Sequence, residues 1–215
     1  MLGEKQQRLL DELISRYPVL EAVRQQITEA YGLLEKCYAQ GGKLLIAGNG
    51  GSCADAEHIV GELMKGFCKK RELPQELKER LAKEDGDHGR YLAECLQGGL
   101  PAIALNGHPG LSTAFANDVD ADMVYAQQLC GYGCERDVFL GISTSGNSKN
   151  VDYAVTVAKA RGIPVIGLTG KDGGKLGRRA DVAIIVPEQE TYKIQELHLP
   201  IYHILCLMLE ERFFA

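Results

Sequence analysis

Three short stretches combine glycines with hydroxyl or amide side chains where an apolar run stops. The first is Ala47-Gly48-Asn49-Gly50-Gly51-Ser52. The second is Gly141-Ile142-Ser143-Thr144-Ser145-Gly146-Asn147-Ser148, and the third is Leu168-Thr169-Gly170-Lys171-Asp172-Gly173-Gly174. Such turns offer anion binding: glycines let the backbone come close, and bare N–H groups at a helix start attract negative charge. Ser52 can cap its helix or bond a ligand. In the second stretch one serine would suffice as a cap, so four hydroxyls point to phosphate oxygens. Neither a Walker loop nor a full G-x-G-x-x-G is present, because the Gly-Lys-Ser/Thr step and the third glycine spacing are missing. Behind the first stretch, His58 and Glu62 lie four residues apart and so share one helix face, a spacing that also suits a metal ion. The ligand these features describe is a phosphorylated metabolite.

The elements that must position these turns are legible as apolar runs. Residues 43–47, 101–105, 137–142, 164–168 and 182–186 read as strands, and their lack of strict alternation implies burial on both faces, as in a parallel sheet. Helical stretches at 52–67, about 72–97, about 121–130, 148–161 and about 190–213 separate or follow them. This alternation predicts an α/β fold, a doubly wound five-stranded parallel sheet, with the chain 1–215 as one domain. Ligands of such sheets bind beyond the carboxyl ends of the strands, where all three turns fall. Residues 4–40 read as helix, divided or kinked at Pro18 and stopped by Gly41-Gly42. The charged stretch 69–99 reads as an inserted, solvent-facing helical excursion.

Composition sets the remaining bounds. Glycine makes up 25 of 215 residues, against a usual ~7%. The hydrophobic share is 45%, which excludes a disordered chain. Lys and Arg number 24 against 29 Asp and Glu, a net charge of −5, so no nucleic-acid partner is expected. Lys69, Lys70 and Arg71 form the one basic cluster, read as a solvated helix end. The polar opening residues are not those of a signal peptide, and no apolar run approaches the ~18 residues of a membrane span. A cytoplasmic location follows as the expectation, with the seven cysteines as free thiols.

With the strands in place, the motifs GNGGS, D-A-x-H-x-x-x-E, STSGNS, LTGKDGG and IQExH with a later histidine resemble the sugar isomerase (SIS) domain. Within that group they are most similar to the phosphoheptose isomerase family, over roughly residues 20–66 and 101–213. The resemblance implies a homotetramer in which the helices of residues 1–40 pack between subunits, with active sites near the subunit interfaces. It implies aldose–ketose isomerisation of a phosphorylated sugar, sedoheptulose 7-phosphate to D-glycero-D-manno-heptose 7-phosphate, through an enediol. Carried over by motif, substrate is held by Asn49, Gly50, Gly51, Ser52, Glu62, Asn117, Asp118, Ser143, Thr144, Ser145, Ser148 and Gln195. Glu62 is the base and His203 the acid. Zinc, one ion per subunit, would be bound by His58, Glu62, Gln195 and His203.

Gln195 and His203 are eight residues apart, a rise of roughly 12 Å on a straight helix. Both reach one ion only if Gln195 lies at a frayed helix start or another subunit supplies one of them. His198 reads as structural. The excursion at 69–99 is longer than the family's usual segment, and Tyr192 replaces an acidic residue often found three before the glutamine. The alternative is a non-catalytic SIS protein that binds the replication initiator DnaA or senses a sugar phosphate. Those relatives lack the catalytic pair, whereas Glu62 and His203 are both present here.

Overall fold

The computed structural model describes residues 2–214. Leu10 and Leu13 line the inner face of α1 (Glu4–Arg16), and Pro18 then opens a short 3-10 turn to Val23. The second helix, α2 (Arg24–Ala39), buries Ile27, Tyr31, Leu34 and Tyr38 at three- and four-residue steps. It ends at Gly41, whose φ of +71° only glycine adopts readily. There follow β1 (Leu44–Gly48), α3 (Gly51–Met64), α4 (Gln75–Glu84), α5 (Gly86–Cys95), β2 (Ala102–Ala104) and α6 (Pro109–Phe115). The second half runs through α7 (Val124–Tyr132), β3 (Val138–Ser143), α8 (Lys149–Ala160), β4 (Val165–Thr169), α9 (Gly174–Arg179), β5 (Val182–Ile185) and α10 (Thr191–Phe213).

The five strands form one parallel sheet in the order β2-β1-β3-β4-β5. Every residue of β1, β3 and β4 is buried, the pattern expected of a sheet covered on both faces. The two faces feed two cores. Leu44, Ile46, Leu140, Ile166 and Ile184 join the residues of α1, α2, α3 and α10. Leu45, Ala47, Phe139 and Val165 face α7 and α8 on the other side. The doubly wound sheet is therefore as predicted, each strand within a residue or two of its expected span.

Three expectations change. The helix expected at about 72–97 is a hairpin of two helices, α4 and α5, broken at Asp85. The helices cross so closely that a side chain on Gly89 would lie 1.8 Å from the Leu81 carbonyl oxygen. Next, the helices of residues 1–40, which the resemblance places between subunits, already cover much of their apolar faces within one chain: α1 and α2 pack on α10, and Leu10, Leu20 and Ile27 are buried. Finally, Arg71 is not part of a solvated helix end. It is 1% exposed, with Nε donating to Glu210 Oε1 at 2.7 Å, Nη1 to the Leu63 carbonyl and Nη2 to the Glu62 carbonyl. A guanidinium can be buried here because a carboxylate and two orphan carbonyls at the end of α3 meet its fork. Among the described residues no helix is long and apolar enough to cross a membrane.

Glu210 also accepts the backbone N–H groups of Phe67, Cys68 and Lys69. Burial alone would raise its carboxyl, but these donors and Arg71 outweigh burial and hold it below the ordinary range. Glu210→Gln should therefore cost about 3–5 kcal/mol, since it leaves Arg71 buried and uncompensated. A carboxyl with a depressed folded-state pKa contributes full stability at neutral pH and loses it as the pH falls through the carboxylate range. Urea unfolding across that range should show the wild-type advantage over Glu210→Gln shrinking as the solution is acidified.

Candidate active site

The strand order reverses between β1 and β3, and the first two glycine-bearing turns leave the carboxyl ends of these two neighbouring strands. That is the crevice where doubly wound sheets place ligands. Asn49 and Asn150 exchange two side-chain hydrogen bonds of 2.9 Å, tying the first turn to the start of α8. The Tyr125 hydroxyl donates to the Gly48 carbonyl at 2.7 Å. Gly50, not Ser52, occupies the N-cap position of α3, with φ of +56°. Ser52 lies one residue inside the helix and is buried, so the capping option is the one not taken.

In the second turn, Ser143 and Ser148 share a hydrogen bond of 2.9 Å between their hydroxyls. Ser145 Oγ accepts the Asn147 N–H at 3.2 Å. The third turn packs against this one backbone to backbone. Gly170 N–H donates to the Thr144 carbonyl and Leu176 N–H to the Gly146 carbonyl. A Cβ on Gly146 would lie 1.9 Å from the Gly173 carbonyl oxygen, and one on Gly174 2.5 Å from that of Ser145. The glycines of the third turn thus brace the serine turn.

Helices α3 and α10 run side by side in the same direction. Gln195 lies beside the start of α3, where a Cβ on Gly51 would come 2.3 Å from its Nε2. Two turns further on, the His58, Tyr202 and His203 rings meet edge to face. The His58 and His203 centroids are 4.9 Å apart, and those of Tyr202 and His203 are 5.0 Å apart. His58 Nε2 is 3.2 Å from Glu62 Oε1, and His58 Nδ1 is 3.0 Å from the Tyr202 hydroxyl. That hydroxyl donates to Asp55 Oδ1 at 3.2 Å. Burial, and then the nearby His58, push His203 below the ordinary imidazole range, with Glu62 opposing them. Burial raises the Asp55 carboxyl, against the pull of Tyr202 and His58. His203 Nε2 and Asp55 Oδ2 are buried with no hydrogen-bond partner among the described residues.

These donors fit a zinc ion in type. The 3.2 Å between His58 Nε2 and Glu62 Oε1 matches the roughly 3.3 Å edge of a tetrahedron with bonds of ~2.0–2.1 Å. His203 adds an unpartnered nitrogen beside them. Among the described residues, however, no three His, Cys, Asp or Glu side chains are already gathered around one point. Gln195 does not join the set within one chain. It sits in a regular part of α10 rather than at a frayed start, and its amide lies two turns away against Gly51.

The structure thus brings His58, Glu62 and His203 together. It gathers Asn49, Gly50, Gly51, Ser52 and Gln195 at the start of α3, and Ser143, Thr144, Ser145 and Ser148 at the start of α8. Asn117 and Asp118 lie apart and exposed in a π-helical turn, where Asn117 Nδ2 donates to Asp118 Oδ1 at 2.9 Å. His198 is fully buried and held neutral, its pKa lowered to about 4 by burial, with Nε2 against the Thr169 carbonyl. It is a strut between α10 and β4. Asp55 and Tyr202 were not singled out from the sequence as site residues. The available signals were the three-residue step from Asp55 to His58 and the position of Tyr202 just before His203.

The SIS domain family matches residues 113–209. The chain is 37% identical to a phosphoheptose isomerase of Aneurinibacillus thermoaerophilus, over 95% of this chain and 88% of that one. It is 41% identical to a phosphoheptose isomerase of Thermodesulfovibrio yellowstonii, over 87% of this chain and 81% of that one. The solved structure of a phosphoheptose isomerase from Francisella tularensis superposes with a TM-score of 0.75 at 30% identity, covering 97% of each chain.

The two turns respond differently to an added methyl group. Gly146 combines φ of +65° with a rigid backbone neighbour, so Gly146→Ala should cost more than about 1 kcal/mol. Gly51→Ala meets only the movable end of Gln195 and should stay within about 0.5 kcal/mol of wild type. Denaturant unfolding of the two variants checks the contrast, and equal losses would mean that the Gly146–Gly173 contact is not rigid.

Proposed function

The chain belongs to the phosphoheptose isomerase family of SIS-domain proteins and is a phosphosugar isomerase, and from that premise we propose that it interconverts sedoheptulose 7-phosphate and D-glycero-D-manno-heptose 7-phosphate. The observation that carries the proposal is that His58 lies between Glu62, 3.2 Å from its Nε2, and the unpartnered His203, 4.9 Å from its ring, across the α3–α10 seam, alongside serine- and glycine-rich turns. The Ser143, Thr144, Ser145 and Ser148 hydroxyls and the N–H groups at the start of α8 take the phosphate. Asn49, Gly50, Gly51, Ser52 and Gln195 hold the sugar hydroxyls, with Asn117 and Asp118 closing on them.

Glu62, 14% exposed, removes a proton from C1 of the ketose and returns it to C2. His203, held neutral, gives a proton to the C2 oxygen as the enediol forms and recovers one from the C1 oxygen. A zinc ion held by His58, Glu62 and His203, with Gln195 from another copy, would supply Lewis-acid polarisation of the carbonyl.

Two spacings support completion of the site by further copies, as in a homotetramer. Gly51 and Glu62 are separated by about three turns of α3, roughly 16 Å, and Gln195 and His203 by roughly 12 Å of α10. His203 also lines a groove of about 320 Å³ between α1 and α10, with Leu9, Leu13, Tyr17 and Phe67, that another copy could enter. The acidic net charge and the burial of Arg71, which leaves the basic cluster one residue smaller, weigh against a nucleic-acid partner.

Glu62→Gln should lower turnover of sedoheptulose 7-phosphate by at least ~10²-fold while circular dichroism and oligomer size stay unchanged. Unchanged turnover would remove Glu62 as the base. A panel of five- to seven-carbon sugar phosphates assayed with the wild-type protein checks the substrate, the seven-carbon ketose being expected to give the highest kcat/KM.

A further inference from the structure

Behind the two imidazoles lies a hydrogen-bonded chain that the reaction does not itself require. It runs from Asp55 through Tyr202 to His58 and ends at Glu62. An ionised carboxylate only accepts, and the tyrosine hydroxyl has a single proton. With Asp55 Oδ1 at 3.2 Å, that proton goes to the carboxylate. The tyrosine oxygen is then the acceptor for His58 Nδ1 at 3.0 Å, so the imidazole must carry its proton there. In the neutral ring the other nitrogen, Nε2, is left with a lone pair 3.2 Å from a Glu62 oxygen that also only accepts. Two acceptors so close need a positive centre between them, either a second ring proton or, above the imidazole range, a metal ion.

We propose that Asp55 and Tyr202 are positioning residues that fix His58 in the Nδ1–H tautomer and so present Nε2 and Glu62 together to a divalent cation. Resting on the metal reading above, this assigns to two further residues the orientation of the first ligand. The ring of Tyr202 contributes as well. It is 2% exposed and packs edge to face on both His58 and His203, so the imidazoles are held by shape and the tautomer by the hydroxyl. Partners of this kind, one shell behind a metal-bound histidine, are worth 10–100-fold in metal affinity.

Tyr202→Phe separates the two contributions, because it keeps the ring and deletes the hydroxyl. Metal-free protein labelled with ¹⁵N-histidine, at a pH above the imidazole range, should show His58 protonated at Nδ1, the resonance being identified by its loss in His58→Gln. In Tyr202→Phe that preference should disappear, and zinc affinity measured by chelator competition should fall by about 10–100-fold with the thermal midpoint nearly unchanged. His58 protonated at Nε2 in the wild-type protein would overturn the proposal, as would a tautomer and a zinc affinity indifferent to Tyr202→Phe. The tautomer is read without metal or substrate, so its failure is distinct from failure of the isomerase reading.

Discussion

The site depends on the contact between α3 and α10, and that contact is fixed at one end by a buried ion pair. Arg71 reaches back from the segment after α3 to bond the Glu62 and Leu63 carbonyls, and its Nε meets Glu210 on α10. Glu210 in turn gathers the N–H groups of Phe67, Cys68 and Lys69. One guanidinium and one carboxylate thus satisfy the open end of α3 and the first residues beyond it. The backbone of the proposed base is therefore pinned to the helix that carries the proposed acid. Phe67, in the loop this pair holds, packs on His203 with ring centroids 5.4 Å apart. Removing either charge would leave the other buried, so the seam is fixed by the cost of breaking the pair more than by its net attraction.

At the other end of the seam the constraint is steric. The serine turn and the turn after β4 approach so closely that their contacting positions admit no side chain. The glycine surplus is thereby only partly a matter of room for a ligand. Gly146 and Gly174 serve contacts between turns, and Gly89 lets two helices of the inserted hairpin cross. The glycines proposed to face the ligand are those at the start of α3, where Gly50 takes a positive φ and Gly51 lies under Gln195.

The sheet was legible because buried parallel strands are short runs of unbroken apolar residues, and each such run became a strand. The proposed catalytic residues were legible through their motifs, and the separation of Gln195 from His203 through helix geometry alone. Arg71 was misread because its neighbours Lys69 and Lys70 are ordinary surface cations, while its partner Glu210 lies 139 residues away. The break between α4 and α5 was hidden because charged residues continue across Asp85 without a proline. The burial of α1 and α2 by α10 could not be read either, since it depends on where the last helix lies. Asp55 and Tyr202 escaped for the same reason: their link is made only when α3 and α10 are side by side.

The charge along the seam gives its two ends unlike preferences. At the starts of α3 and α8 the groups on offer are hydroxyls, amides and backbone N–H groups, which suit an anion without a counter-charge. Around His58 the balance is reversed. Asp55, Glu62 and two imidazoles stand together, and Asp55 Oδ2 and His203 Nε2 have no donor at all. Among the described residues, the ammonium paired with Glu62 is that of Lys65, 3.2 Å from Oε2 and itself largely exposed. A phosphate would be repelled from this end, whereas a cation and the polar carbonyl end of a sugar would be accepted. The polarity of the seam thus separates an anion-accepting end at the turns from a cation-accepting end at Glu62, roughly 16 Å away along α3, and the proposed substrate would meet the two ends from different copies.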